Sequence, residues 1–230
     1  LFSELYGIHS DSVMVYSTAD ANFADWYKPG NYVVDMMIAI NRADSSYLSL
    51  SSSHYDDIQM NSAGKYLEHS TGASYYMVPT EAWIDYVWEK MLKPIIEHNH
   101  PQTIALEEPE MWIASGYSES FKREWLDFYG EEWEDPASSA SATLKSNLLN
   151  THLFERILTV LSQRIKEISP STQVYIATHS TVNYSAWAID AGLNHYVATG
   201  AIDGVIGQTW SDTHNTAFPH RGTNIQDNYT

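Results

Sequence analysis

Thr103-Ile104-Ala105-Leu106-Glu107-Glu108-Pro109-Glu110 is the stretch on which the reading of this chain turns. Four residues suited to a buried strand run straight into carboxylates, and Pro109 cannot continue sheet pairing. A parallel strand covered on both faces has such an unbroken apolar run, and chemistry gathers where such strands end. Carboxylates at that point are costly to desolvate unless they are paired or put to work. Glu107 and Glu108 are therefore candidate acid/base residues at the mouth of a barrel or crevice. A solvated acidic loop before a helix is the competing reading, since Glu near a helix N-terminus is favourable in itself.

Working outward, apolar runs alternate with helix-period segments. Tyr32–Ile40 is bounded by Pro29-Gly30 and by Asn41-Arg42-Ala43-Asp44 and reads as a buried strand. A long polar connection with a Ser-rich run (45–53) leads to a shorter strand at Tyr75–Val78, stopped by Pro79. Thr80 suits the cap of a helix carrying Trp83, Ile84, Val87, Trp88, Met91 and Leu92, with Pro94 ending or kinking it. Beyond the acidic run, Ser118 suits the cap of a helix with Phe121, Trp125 and Phe128 on one side. A long stripe from Leu144 and Leu148 through Phe154, Ile157, Leu158, Leu161 and Ile165 to Ile168 predicts an amphipathic helix. Gln173–Thr178 and Asp203–Gly207 are further strands, with helix-like residues after Tyr184. Repeated strand–helix units predict a parallel sheet with right-handed crossovers, in one domain over residues 1–230.

Composition narrows the partners. A hydrophobic content of 43% over 230 residues is enough for one large core. Twelve Lys+Arg against 29 Asp+Glu give a formal charge of −17, which repels a phosphate backbone, so no nucleic acid partner is expected. No run of about 18 apolar residues is present, so no membrane insertion is expected. Cysteine is absent, which excludes disulfides, thiolate metal sites and a cysteine nucleophile. The start at Leu1 without an initiator Met suggests a missing upstream segment, and the polar run 212–230 reads as a cut end or a loop that continues. Together with the glycosylation-type triplets Asn183-Tyr-Ser and Asn228-Tyr-Thr, this points to a secreted or extracytoplasmic protein.

Polar residues collect at the strand ends, which separates two architectures. His179 and Ser180 follow one strand; Gln208, Trp210, Asp212 and His214 follow another. His54, Asp56, Asp57, Gln59 and His69 precede the strand at Tyr75. A doubly wound sheet would carry a glycine-rich phosphate loop at its first crossover, and the chain has none. The pattern instead predicts an α/β fold of the (β/α)₈ TIM-barrel type, incomplete here, with about six strand–helix units.

The run Leu106-Glu107-Glu108-Pro109 resembles the Asn-Glu-Pro signature at the end of the fourth strand in clan A glycoside hydrolases, which include β-galactosidase-like and cellulase-like barrels. Gly207-Gln208-Thr209-Trp210 resembles the polar-aromatic end of the sixth strand. The resemblance implies that Glu108 is the acid/base and that Glu107 replaces the asparagine that contacts the sugar 2-hydroxyl. It also implies a nucleophilic glutamate after the seventh strand, beyond Thr230, if the strand at Tyr32 is the second.

Glycosidic cleavage needs one carboxylic acid to protonate the leaving oxygen and a second carboxylate opposite it. Neighbouring residues on a strand point to opposite faces, so Glu107 and Glu108 are not expected to be that pair. Glu108 would be the acid, with Glu107 binding a hydroxyl or orienting it. His54, Asp57, His69, Trp112, His179, Gln208, Trp210 and Asp212 are the candidate substrate-binding residues, Trp210 being the favoured ring for a sugar face. Trp83, Trp88, Trp125 and Trp133 are expected to pack helices on the sheet. Ten histidines fit no strong ligand spacing, so no metal and no cofactor are expected; a metal-dependent hydrolase using His54, Asp57 and His179 is an alternative. A nucleophilic serine lacks its Gly-x-Ser-x-Gly elbow. The expected function is hydrolysis of an oligo- or polysaccharide; the other alternative is a sugar-binding barrel without turnover.

Overall fold

The computed structural model describes residues 12–16, 33–107, 110–179, 188–190 and 202–208. Strands β1 (Ser12–Tyr16) and β2 (Val33–Ala39) pair in parallel. Met36 and Ile38 of β2 are fully buried and Met37 and Ala39 partly so, and the buried run continues through Ile40 and Asn41. A polar excursion follows, made of β3 (Arg42–Ala43), α1 (Ser45–Leu48), a 3-10 turn (Ser52–Asp57), β4 (Glu68–Ser70) and β5 (Ser74–Tyr76). Its strands form a separate antiparallel sheet in the order β3-β5-β4.

The helical run is α2 (Glu81–Tyr86), a π-helical turn (Val87–Leu92) and α3 (Lys93–Asn99). Thr80 Oγ1 caps it by accepting from Trp83 N at 3.2 Å. Trp83, Ile84, Val87, Trp88 and Leu92 are buried, as their spacing predicts, and Met91 packs beside them. Pro94 does not end the helix. It has no N–H to donate, and the wider bonding of the π turn lies just ahead of it, so the chain stays helical to Asn99. His100 then closes the run in the left-handed conformation (φ 46°), donating its N–H to Ile96 O.

Strand β6 (Thr103–Glu107) is buried at all five positions. After it come β7 (Glu110–Trp112), α4 (Glu119–Tyr129), α5 (Ala140–Ile168), β8 (Gln173–His179), β9 (Ala188–Asp190) and β10 (Gly204–Gln208). Five strands make one parallel sheet in the order β1-β2-β6-β8-β10, and β6 is in the middle. That position, covered on both faces, is why its sequence is apolar without alternation. Strand order repeats chain order with no reversal, so the chain advances one place in the same direction at every crossover. The molecule is an α/β protein, and β1 and β10 are the edges of the described sheet.

Three sequence expectations change. The strand near Tyr75 belongs to the small antiparallel sheet, so β6 is the direct neighbour of β2 and the described parallel sheet has five strands, not about six. Three half-buried residues ahead of Pro79 are too short and too polar for a covered parallel strand. Strand β1, a short run of five residues, was not anticipated. Residues 188–190, expected in a helix, pair with β7 instead.

Helix α5 is capped by Ser139 Oγ, which accepts from Ala142 N at 3.0 Å. Leu149, Leu153, Phe154, Ile157, Leu158, Leu161 and Ile165 are buried, whereas Leu144, Leu148 and Ile168 of the expected stripe are exposed. Phe121 and Trp125 of α4 are fully buried, but Phe128 is exposed and Tyr129 takes the inward place. Ser118 precedes α4 without a side-chain capping bond. The amino edge of the sheet is tied off by Asp203, whose Oδ2 accepts from Val174 N at 2.7 Å and from Lys166 Nζ at 2.6 Å. Burial alone would raise the pKa of Asp203, but these two donors outweigh it and hold the carboxyl low. The opposite, carboxyl edge is left for the acidic residues.

Candidate active site

Glu107 is the last residue of β6, level with Ala39 of β2 and Ala177 of β8 in the strand register. Its side chain is only 9% exposed and is held by Arg42, whose Nη2 lies 3.2 Å from Glu107 Oε2. Arg42 follows β2 by three residues, so the small sheet begins at the carboxyl edge. It also donates from Nη1 to Asn41 Oδ1 at 3.3 Å. A charge buried to this degree is stable only with a partner, and the guanidinium supplies it.

Aromatic rings gather beside this pair. Tyr76 is the cross-strand partner of Arg42 in β5, and its ring lies 5.1 Å from Trp112 and 5.8 Å, edge-on, from His69. Gln59 fixes the arrangement from below. It is fully buried, donates from Nε2 to Met77 O at 3.0 Å, and accepts from Trp112 N at 3.0 Å through Oε1. Arg42 thus ties Glu107 to the small sheet, where Tyr76 stands opposite it in register and carries Trp112 and His69 on its ring. An ion-paired carboxylate accepts hydrogen bonds well, so Glu107 suits the binding of a hydroxyl group.

Not every sequence candidate joins this group. Asp57 Oδ2 accepts a 2.6 Å hydrogen bond from the Tyr47 hydroxyl. His54 stacks on the same ring at 3.9 Å, with Nδ1 2.9 Å from Tyr47 O. Trp83 and Tyr86 pack on Tyr47 at 5.0 Å each, so these two residues serve a packed cluster and make no contact with Glu107 among the described residues. Burial raises the pKa of Asp57, partly opposed by the Tyr47 bond, and burial first and Asp57 second raise that of Tyr47. Among the described residues no three His, Asp or Glu side chains come together as a metal-binding set.

His69 and Trp112 are brought together, both on Tyr76. His179 and Gln208 end β8 and β10 and are paired in register, which sets them side by side along the carboxyl edge. Glu108, Trp210 and Asp212 lie outside the described residues. Arg42 and Gln59 are the members whose roles sequence reasoning missed. The available signal for Arg42 was a cation placed directly after a buried strand in a chain with only 12 Lys+Arg. Trp83, Trp88 and Trp125 are buried in the core and Trp133 packs against it, as expected.

The α/β fold, with its parallel sheet, is similar to that of part of several solved β-galactosidases. The chain is similar to the β-galactosidase of the Antarctic haloarchaeon Halorubrum lacusprofundi at a TM-score of 0.57 and 11% identity, covering 89% of this chain and 41% of that one. It is similar to the β-galactosidase of the psychrophilic Marinomonas ef1 at 0.54 and 9% identity, covering 86% and 36%. The β-galactosidase of Bacillus circulans sp. alkalophilus gives 0.52 and 10% identity, covering 93% and 37%. The chain thus spans about two fifths of the length of these enzymes or less. No protein-family model and no curated protein sequence matches it.

Proposed function

We propose that the chain is the greater part of a (β/α)₈-type catalytic domain of a glycoside hydrolase, cleaving an O-glycosidic bond in an oligo- or polysaccharide. The observation that carries this reading is the Arg42–Glu107 pair, buried at the carboxyl end of the middle strand, with Tyr76 opposite Arg42 in register and Trp112 and His69 on the Tyr76 ring. Its place matches where barrel enzymes gather catalytic groups, and the fold shared with β-galactosidases supports the same class. Glu108 is the general acid, next in the chain to Glu107, and Glu107 accepts from a sugar hydroxyl while Arg42 holds it in place. Rings at Tyr76 and Trp112 offer apolar faces to the sugar's C–H groups. The partner carboxylate comes from a strand beyond β10. Export from the cytoplasm belongs to the same proposal and is tested by fractionating the native host.

The test is hydrolysis of nitrophenyl glycosides, β-galactoside first, by the longest natural polypeptide that contains this chain. Glu108→Gln should lower turnover of unactivated substrates by several orders of magnitude with binding largely kept. Comparable activity in that variant removes Glu108 from the mechanism. Saccharide binding without turnover in the parent protein would replace the hydrolase with a sugar-binding barrel.

A further inference from the structure

The loop that leaves β7 forms one wall of a groove outside the site just described. It faces the turn at 61–63 and the segment 136–143 across a space of about 390 Å³, at the lower end of the range that accepts small ligands. Every residue lining it is uncharged, in a chain whose formal charge is −17. The groove is preformed. Tyr117 donates from its hydroxyl to Asp135 Oδ1 at 2.8 Å and sets its ring edge-on to Trp133 at 5.8 Å. Thr143 Oγ1 donates to Pro136 O at 2.7 Å. Gly116 lets the loop close, because a Cβ there would stand 3.2 Å from both Pro136 Cγ and Ser146 Oγ at a φ of +113°.

Two polar groups in this lining are short of partners. Ser115 is 1% exposed, and its Oγ has no hydrogen-bond partner among the described residues. A buried hydroxyl in that state is completed by an ordered water or by an oxygen of a bound molecule. Asn61 Oδ1 accepts from Ala63 N at 3.0 Å and Lys65 N at 3.1 Å, which leaves its Nδ2 without a partner among the described residues. Ile113 adds a partly exposed apolar surface. Hydroxyl, amide and aliphatic surface with no charge are the complement of a neutral sugar ring, not of an anion or cation.

Position links the groove to the candidate active site. Ile113 follows Trp112 directly and lies six positions after Glu107, a reach of at most about 20 Å. We propose that the groove is an accessory subsite that holds one unit of a neutral saccharide chain whose other end occupies the Glu107 site. The identity of the ligand class rests on the hydrolase reading, whereas the groove itself does not.

Titration of the full chain with cellotetraose, xylotetraose, maltotetraose and β-1,4-galactotetraose, followed by amide NMR, tests the proposal. At least one tetrasaccharide should shift the Ala114, Ser115 and Thr143 amides, and Ala114→Trp should weaken that binding at least about tenfold by filling the groove. Ala63→Trp, on the opposite wall and also exposed, should do the same and guards against a folding defect in the first variant. Unshifted groove amides with all four sugars overturn the subsite, as does equal affinity in both Trp variants. Nitrophenyl glycoside turnover is measured separately: turnover with silent groove amides removes the subsite alone, and groove shifts without turnover remove the hydrolase alone.

Discussion

Arg42 shows how much one side chain decides. Removing it takes the guanidinium away from a carboxylate with 9% of its side chain exposed. Arg42→Met should cost roughly 2–4 kcal/mol, somewhat below a fully buried pair because 15% of the arginine remains in solvent. Adding Glu107→Gln to it should recover part of that loss, since the buried charge is gone; chemical denaturation of the two variants checks both. Tyr47 gives a pH prediction. Its folded-state pKa lies above the ordinary 10.0, through burial first and the Asp57 bond second. The unfolded chain therefore loses this proton first as pH rises past about 10, so the stabilisation is complete below that pH and declines above it. Tyr47→Phe should make the alkaline decline shallower by about 1.4 kcal/mol per pH unit, the slope of one proton. An unchanged slope in denaturation at pH 9–12 would place the alkaline limit on other tyrosines, of which there are 16 in all.

At the level of elements, helix α5 divides into an overhanging start and a buried remainder. Leu158→Ala should cost about 2–5 kcal/mol because the side chain is fully enclosed. Leu148→Glu should change stability by about 0.5 kcal/mol or less, its side chain being 52% exposed. Equal losses would mean that the first turns of α5 pack as tightly as the rest. Periodicity located α2, α4, α5, β2, β6, β8 and β10 because each buries a regular face or run. It misplaced the strand at Tyr75 because a local pattern does not say which sheet a strand joins. It overextended the α5 stripe because helical period cannot tell where the core beneath a helix stops. Of the two outcomes expected at Pro94, an end to the helix is ruled out, and the π turn ahead of it leaves no mark in composition.

For the whole molecule, the acidic excess sets the response to salt. Raising NaCl from about 10 mM to about 150 mM shortens the screening length from about 30 Å to about 8 Å. With a formal charge of −17, self-repulsion should weaken and Tm should rise by a few degrees. A fall in Tm would mean that attractive pairs such as Lys166–Asp203 outweigh the repulsion. The candidate site was only half legible at this scale. Glu107 announced itself as a carboxylate at the end of an apolar run, but its guanidinium comes from β3 of the small antiparallel sheet, 65 positions earlier in the chain. His54 and Asp57 carried the right chemistry in sequence yet are turned into the packing around Tyr47.

Because spatial order repeats chain order, the ribosome delivers the strands in the sequence in which they dock. Each newly emerged strand finds its neighbour already synthesised, and a nascent chain at any stage presents a single growing margin to the next arrival. Slowing elongation should therefore not leave any of β2, β6, β8 or β10 awaiting an earlier neighbour; in the barrel proposed above, the outer edge of β1 alone waits for a strand made after β10.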